Sequence, residues 1–535
     1  MQSTTGQFFG TSQISHDYLH AFEKVGDFFS ADFKDVEAYK TLAEKTDRVK
    51  RPFRRELQHI LLQQAEVFGS NDLTKKNITK LGDPDTLAVV TGQQTGLFGG
   101  PLYTLYKALT TIKLADELSA RLDRPVVPVF YLVSEDHDFA EVQWAGIVNK
   151  SNTFQKKTFA PEHLPQRQPV AEILLDGSIE GLLSDVHSAT TGTEFKEEVL
   201  AKLAECYRSG ASFSLAFARW FSLLLANFGV ILLDAFGVRL KPLVKDVFAR
   251  ELDEQITEKT IAETNTHLES AGYHTQLVVQ NNRPAVFILK NGRHSLERTD
   301  KGYKNLDSQE ILSFHELVAQ PHLLSPKAAL RPIVQDTLLP TIAYVGGPGE
   351  IAYWAQLKGV YQAFELPMPA VVPRASFTLI EPKIKRHLDK FGLSAQQVIA
   401  GQEEGGQTVL RSLVPEETTQ KIQQSRESII REIKSLGETI VPVDPTLASL
   451  VDKTKSSIEK QLQSLEQRML KSVQDREQVV LAQWQAVVEN LLPEGKLQER
   501  QVSALPFLIK YHWAFVDTIY QHIDLTNFTH SIVEL

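Results

Sequence analysis

Over residues 1–80 apolar positions recur at helical spacing. SQISHDYLHAFEKVGDFF is amphipathic, and in RRELQHILLQQAEVFG Leu57, Ile60, Leu61, Ala65 and Val67 fall on or near one face. Asp83-Pro84-Asp85 breaks the pattern, and the apolar residues then gather into short runs: Leu87–Val90, Val126–Val133, Gly229–Asp234, Thr341–Val345 and Ala370–Val372. Such runs mark strands buried on both faces, and the helical stretches between them predict an α/β, doubly wound parallel sheet. VAEILL reads as a further short strand. TQLVVQNNRPAVFILK predicts a hairpin about Asn281-Asn282, within a β-rich insert reaching about Gln320. From Glu381 to about Glu489 glycines are few and polar residues many. Ile458, Leu462, Leu465, Met469, Val473 and Val480 keep three-and-four spacing, and Val441–Pro445 marks a turn between two long helices. The division expected is a core over 1–380, an antiparallel α-helical coiled-coil arm over 381–500, and a segment over 501–535 that packs back on the core.

The first run leads into TGQQTGLFGGPLYTLYKA. Strand, glycine loop and helix start direct backbone N–H groups and a helix dipole toward an anion, and Pro101 suits a first helical position. Gly92, Gly96, Gly99 and Gly100 let a ligand approach the backbone, with Thr91, Gln93 and Gln94 as neutral partners. The spacing GxxxGxxG matches neither the dinucleotide fingerprint nor the P-loop. A purely structural βα turn is the alternative.

The second run ends in Ser134-Glu135-Asp136-His137-Asp138, where ligands of open parallel sheets bind. Glu135, Asp136 and Asp138 are costly to hold together unless something positive binds among them. His137 is the candidate general base, since imidazole titrates near working pH. A helix cap by Asp136 or Asp138 is the alternative. One histidine among adjacent carboxylates has no diagnostic metal-ligand spacing, so no metal is predicted. A second strand–glycine loop–helix follows at Gly346, Gly347, Gly349 and Glu350, with Tyr353 and Trp354 either in the core or as a base-stacking platform. Lys327 and Arg331 before it, and Arg374 after the last strand, are candidate partners for carboxylates or phosphates.

A chain of 535 residues exceeds one core, and a net charge of −9 argues against nucleic acid as a partner. Cys206 is the only cysteine, so neither an intramolecular disulfide nor a multi-cysteine zinc site can form. No apolar run approaches the ~20 residues of a membrane span and no signal-like segment opens the chain, so a cytoplasmic protein with no membrane partner is expected.

TGQQTGLFGGPLYTLYKA, SEDHD, LRPIVQD…AYVGGPGEIAYWAQLK, PMP…VPR and LQER…LPFL, in this order over nearly the whole length, resemble the BshC family of bacillithiol-biosynthesis cysteine ligases. The resemblance implies a Rossmann-like parallel-sheet core with inserted connecting segments at about 150–320, and a homodimer formed through the coiled-coil arm. It also implies an adenine-nucleotide pocket and the joining of cysteine to the glucosamine amine of glucosaminyl-malate. Activation of the cysteine carboxyl makes ATP the expected cosubstrate. The core is distantly similar to class I aminoacyl-tRNA synthetases, but Gly96-Leu97-Phe98-Gly99 stands where those carry His-x-Gly-His, and Lys383 and Lys385 do not reproduce their lysine motif. Another ATP-dependent amide ligase or nucleotidyltransferase, or a non-catalytic coiled-coil scaffold, stays open.

Overall fold

Five of the apolar runs assemble into one parallel sheet: β1 (Leu87–Gln93), β2 (Val126–Leu132), β3 (Ile231–Asp234), β4 (Thr341–Gly346) and β5 (Ala370–Pro373). The strand order is β5-β4-β1-β2-β3, every neighbouring pair parallel. This is the doubly wound Rossmann order, and connections leave β1 in opposite directions at the β1/β4 boundary, where a crevice opens at the carboxyl ends. The computed structural model describes residues 12–401, 409 and 413–535. They form two compact units, one running to Phe377 and resuming over Glu499–Ser531, the other comprising Thr378–Gln498 and Ile532–Leu535.

Burial explains the uninterrupted runs. Leu87–Val90, Val129, Ile231, Leu233 and Ile342–Val345 have no measurable exposure, covered by helices on both faces. Helix Leu102–Leu122 follows β1 and is buried almost all round over Leu102–Ala115, Lys107 included. Its first turn is closed by a returning segment, since the Leu102 N–H donates to the Val502 carbonyl at 2.8 Å.

A second, antiparallel sheet of five strands is inserted before β4. Here the expectation was misplaced. Val286–Leu289 pairs with Arg293–Thr299, so the hairpin turns at Asn291-Gly292, both at positive φ, rather than at Asn281-Asn282. Asn291 and Gly292 accept the positive φ that this three-residue loop, Lys290–Gly292, needs, and the signal outranks Asn-Asn. VAEILL likewise holds a 3-10 turn over Val170–Glu172 in place of a strand.

In the second unit, helices Glu416–Ile440 and Ala448–Arg476 run antiparallel through a turn at Pro445–Leu447. Gly437 admits Val451 at a distance only a missing Cβ allows, and Arg426 pairs with Glu466 across the helices at 3.1 Å. Val480 belongs to the next helix, Gln478–Leu491, and Leu465 is 67% exposed, so the apolar seam is shorter than the sequence spacing implied.

Gly146 carries the returning segment. It lies in Trp144–Val148, and its carbonyl accepts from the Ser503 N–H at 2.9 Å and the Ser503 hydroxyl at 3.0 Å. A Cβ there would sit 2.0 Å from the Gln501 carbonyl oxygen and 2.6 Å from the Phe154 ring. Gly146→Ala therefore lowers stability by about 1–3 kcal/mol, the usual cost of overpacking. Gly181→Ala, on helix Ser178–Ala189 with open space around it, leaves stability unchanged or raises it. Thermal melts of the two variants check this; equal melting points would refute the role of residues 501–503 as a packed cap.

Candidate functional site

The crevice beyond β1 and β4 is a cavity of ≈ 410 Å³ lined by both strand ends and by Tyr103, Lys107, Arg331, Glu350, Arg374 and Arg500, among others. Beside it lies a second cavity of ≈ 470 Å³, reached by His137, Arg283, Phe287, Arg293 and Lys327. Val133, Ala328 and Arg331 belong to the walls of both. Two compartments thus meet along one partition at the carboxyl edge of the sheet.

The centre of the first compartment is Lys107. Its side chain is 2% exposed, a lone cation among the buried residues Leu102–Ala115 of its helix. The ammonium donates to the Gly92 carbonyl at 2.7 Å and to Gln93 Oε1 at 3.0 Å, and pairs with Glu350 at 2.5 Å. Glu350 also accepts from the Tyr344 hydroxyl at 2.7 Å and the Gly347 N–H at 2.8 Å. Against the upward push of burial, Lys107 and these donors hold the Glu350 carboxyl below its ordinary range.

These contacts redistribute the roles expected of the glycine loops. Gly92, Gln93, Gln94, Gly347 and Gly349 line the first compartment, with Glu350 and Tyr353. Gly96, Gly99 and Gly100 do not: a Cβ on Gly96 would meet Gly100, and Gly99 faces the Trp220 ring. Gly99 and Gly100 have positive φ, so they shape the turn. The following helix start is spent on Val502, and the Gly347 N–H is spent on Glu350, so neither amide is open to an anion. Gly346 packs its Cα against Glu350 and gives its carbonyl to the Arg374 N–H. The Thr91 hydroxyl donates to the Val345 carbonyl between β1 and β4. Trp354 is fully buried, stacked between Tyr344 and Tyr361, and is a core residue with no face for a base.

The acidic cluster also divides. Glu135 is buried against Lys241 and the Ser325 hydroxyl, its charge already met, and lines neither compartment. Asp136 accepts from Arg293 at 3.1 Å and from Gln94 at 2.8 Å. Asp138 is exposed at an outer recess shared with His137 and Glu141, and gives its helix no side-chain cap. His137 faces both this recess and the larger compartment, with a buried Nδ1 that no group in the described residues hydrogen-bonds. Burial, with the Arg293 guanidinium nearby, holds His137 below the ordinary imidazole value, so the ring is a neutral base at pH 7. Arg374, expected to meet a ligand, is instead locked bidentately on Glu499 at 2.7 and 2.9 Å. Among the described residues, no group of three or more His, Cys, Asp or Glu is disposed to hold a metal, and no helix is long and apolar enough to cross a membrane.

Comparisons with known proteins identify the family of the chain. The profile described as "Bacillithiol biosynthesis BshC, N-terminal Rossmann-like domain" matches residues 1–375, and "Bacillithiol biosynthesis BshC, C-terminal coiled-coil domain" matches 377–535. The chain belongs to the bacillithiol biosynthesis BshC family. Relatives that carry the name "Putative cysteine ligase BshC" include one from Salinibacter ruber, 32% identical over 97% of this chain and 95% of its own. Another, from Chlorobaculum tepidum, is 34% identical over 98% and 97%. Among solved structures, a Campylobacter jejuni chain titled "putative arginyl t-RNA synthetase" aligns over 88% of this chain at 10% identity and a TM-score of 0.25, too slight a likeness to carry an argument.

In this BshC chain Lys107, Arg293, Glu499 and Arg500 escaped the sequence reading. Lys107 had a signal, a lone cation within an apolar helical face. Glu499 and Arg500 lie in LQER, whose place beside the sheet no local pattern reveals. Lys327 is the exposed-side counterpart of these buried ions. Its ammonium lies 5.2 Å from the Phe287 ring centre and meets no carboxylate at ion-pair distance among the described residues. Burial and the nearby Arg283 lower its pKa to about 8. With all amines dimethylated using 13C label, one lysine NMR resonance, besides that of the N-terminal amine, should titrate near pH 8 and vanish in Lys327→Met. A lowest lysine midpoint near the ordinary 10.5 would refute this environment.

Proposed function

We propose that the protein is a ligase that joins the carboxyl of cysteine to the glucosamine amine of glucosaminyl-malate, forming bacillithiol, with ATP activating the carboxyl. The observation that carries the reading is the pair of compartments with one partition at the sheet's switch point. A two-substrate condensation needs both reactants held edge to edge and away from water. Family membership and the names of the relatives support the same chemistry.

In this reading the amine substrate occupies the larger compartment. Lys327 and Arg283 meet its malate carboxylates, and Asp136 and Asp138 lie at the mouth near its amine. His137 takes the proton that leaves nitrogen as the new C–N bond forms, and phosphate or AMP departs from the carbonyl carbon. The activated carboxyl occupies the switch-point compartment. Arg331 touches both and is placed to meet charge at the reacting centre. The setting of such a biosynthetic ligase is the cytoplasm. The arm's exposed Leu436, Leu450 and Leu465 support a homodimer formed through it.

The test is a low-molecular-weight thiol profile of a host lacking the gene, complemented with wild type or with His137→Ala. Bacillithiol should vanish with the gene, return with wild type, and fall at least about a hundredfold in His137→Ala, the usual scale for removing a general base. In vitro, activity should be level above pH 7 and fall on acidification, because protonation of His137 below its ordinary value removes the base. Unchanged bacillithiol in the deletion refutes the reaction, and near-normal product from His137→Ala refutes the base.

A further inference from the structure

The switch-point compartment carries a charge surplus. Two of its cations are neutralised in place, Lys107 by Glu350 and Arg374 by Glu499. Two are not. Arg331 is only 8% exposed, and its guanidinium meets neutral groups alone: Gln335 Oε1 at 2.9 Å, the Tyr344 hydroxyl at 3.4 Å, the Tyr353 hydroxyl, and the Tyr131 and Tyr344 rings at 5.5 and 5.7 Å. Arg500 is exposed at the rim and makes no hydrogen bond or ion pair among the described residues. Glu350 is the one carboxylate of the lining, and it is already paired. A guanidinium nine-tenths buried without a carboxylate is a costly arrangement that an incoming anion relieves.

The backbone offers that anion little. The Gly347 N–H and the Leu102 N–H are both occupied, so recognition falls to side chains. Arg500 follows directly on Glu499, whose carboxylate accepts both terminal nitrogens of the Arg374 guanidinium and also the Phe377 N–H at 3.2 Å. That fixed anchor sets where the next residue can reach.

Resting on the ligase reading, we infer that Arg500 and Arg331 together bind an oxyanion of a substrate, a carboxylate or a phosphate, in the switch-point compartment. Arg500 is its specificity-determining residue and the Arg374–Glu499 pair the device that presents it. A planar guanidinium suits either oxyanion, because it donates two parallel N–H bonds.

Calorimetric titration of the full chain with inorganic pyrophosphate and, separately, with cysteine distinguishes the two sources. One probe should bind wild type, and Arg500→Gln should bind it at least about tenfold more weakly, the scale of a lost charge-assisted hydrogen bond. Its melting temperature should not change, since the side chain is exposed. Arg500→Lys, which keeps the charge without the fork, should fall between. In steady state the KM of a single substrate, ATP or cysteine, should rise in Arg500→Gln while kcat holds. Failure of both probes to bind wild type, or equal binding by Arg500→Gln, overturns the inference. Probe binding that depends on Arg500 in a protein without ligation would leave the site standing and the ligase reading refuted.

Discussion

A lysine with almost no exposure keeps its charge only if that charge is met, and Lys107 is met by three groups at once. Isolated burial of an ammonium costs several kcal/mol, and breaking such a pair by removing one partner costs about 3–5 kcal/mol. The contact joins parts distant in sequence. Lys107 stands on the helix after β1 and Glu350 on the helix after β4, and between them they hold the ends of both strands. Strand order alone places β1 beside β4 and leaves a crevice. The buried ion pair spans that crevice and ties the two glycine loops together through the Gly92 carbonyl and the Gly347 N–H.

The same economy governs the other charges around the sheet edge. Arg374 is held by Glu499, Glu135 by Lys241 and Asp136 by Arg293. Each pair removes two groups from the inventory available to a ligand and fixes a wall. What remains without a carboxylate partner among the described residues is then informative: Lys327 and Arg331, with Arg283 and Arg500 at the edges. A cluster rich in carboxylates on paper becomes, once its pairs are formed, a site biased toward anions.

The fold was legible because buried parallel strands write themselves as continuous apolar runs, and the five runs are the five strands. The long polar helices announced the arm in the same way. The hairpin was misplaced because Asn-Asn and Asn-Gly both read as turns, and only the second carries the glycine that a positive φ favours. The site was half legible. Local pattern picked out Gly92, Gly347, Gly349, His137, Lys327 and Arg331, which line the two compartments, since each lies at a strand end or helix start. It misjudged Glu135, Arg374 and Trp354, whose partners Lys241, Glu499, Tyr344 and Tyr361 come from other elements. Charge pairing across the fold is a tertiary fact, so a charged residue read alone looks more available than it is.

For the proposed ligation, two compartments answer the chemistry of making an amide in water. In that reading the carboxyl is activated by ATP, a polyanion, which wants fixed cations. The amine must reach it unprotonated, which wants a neutral base and few nearby carboxylates with free charge. A single pocket would set these demands against each other, since cations gathered for phosphate lower the basicity of the imidazole that must accept the proton. The chain separates them: His137 is on one side, the Lys107–Glu350 floor on the other, and Arg331 in the wall between. Arg293 already depresses His137, and Asp136, held between them, offsets part of that effect. In the proposed reaction the acidic loop after β2 thus tunes the proposed base more than it binds a cation, and that role needs only Asp136 of its three carboxylates to lie against both the arginine and the histidine.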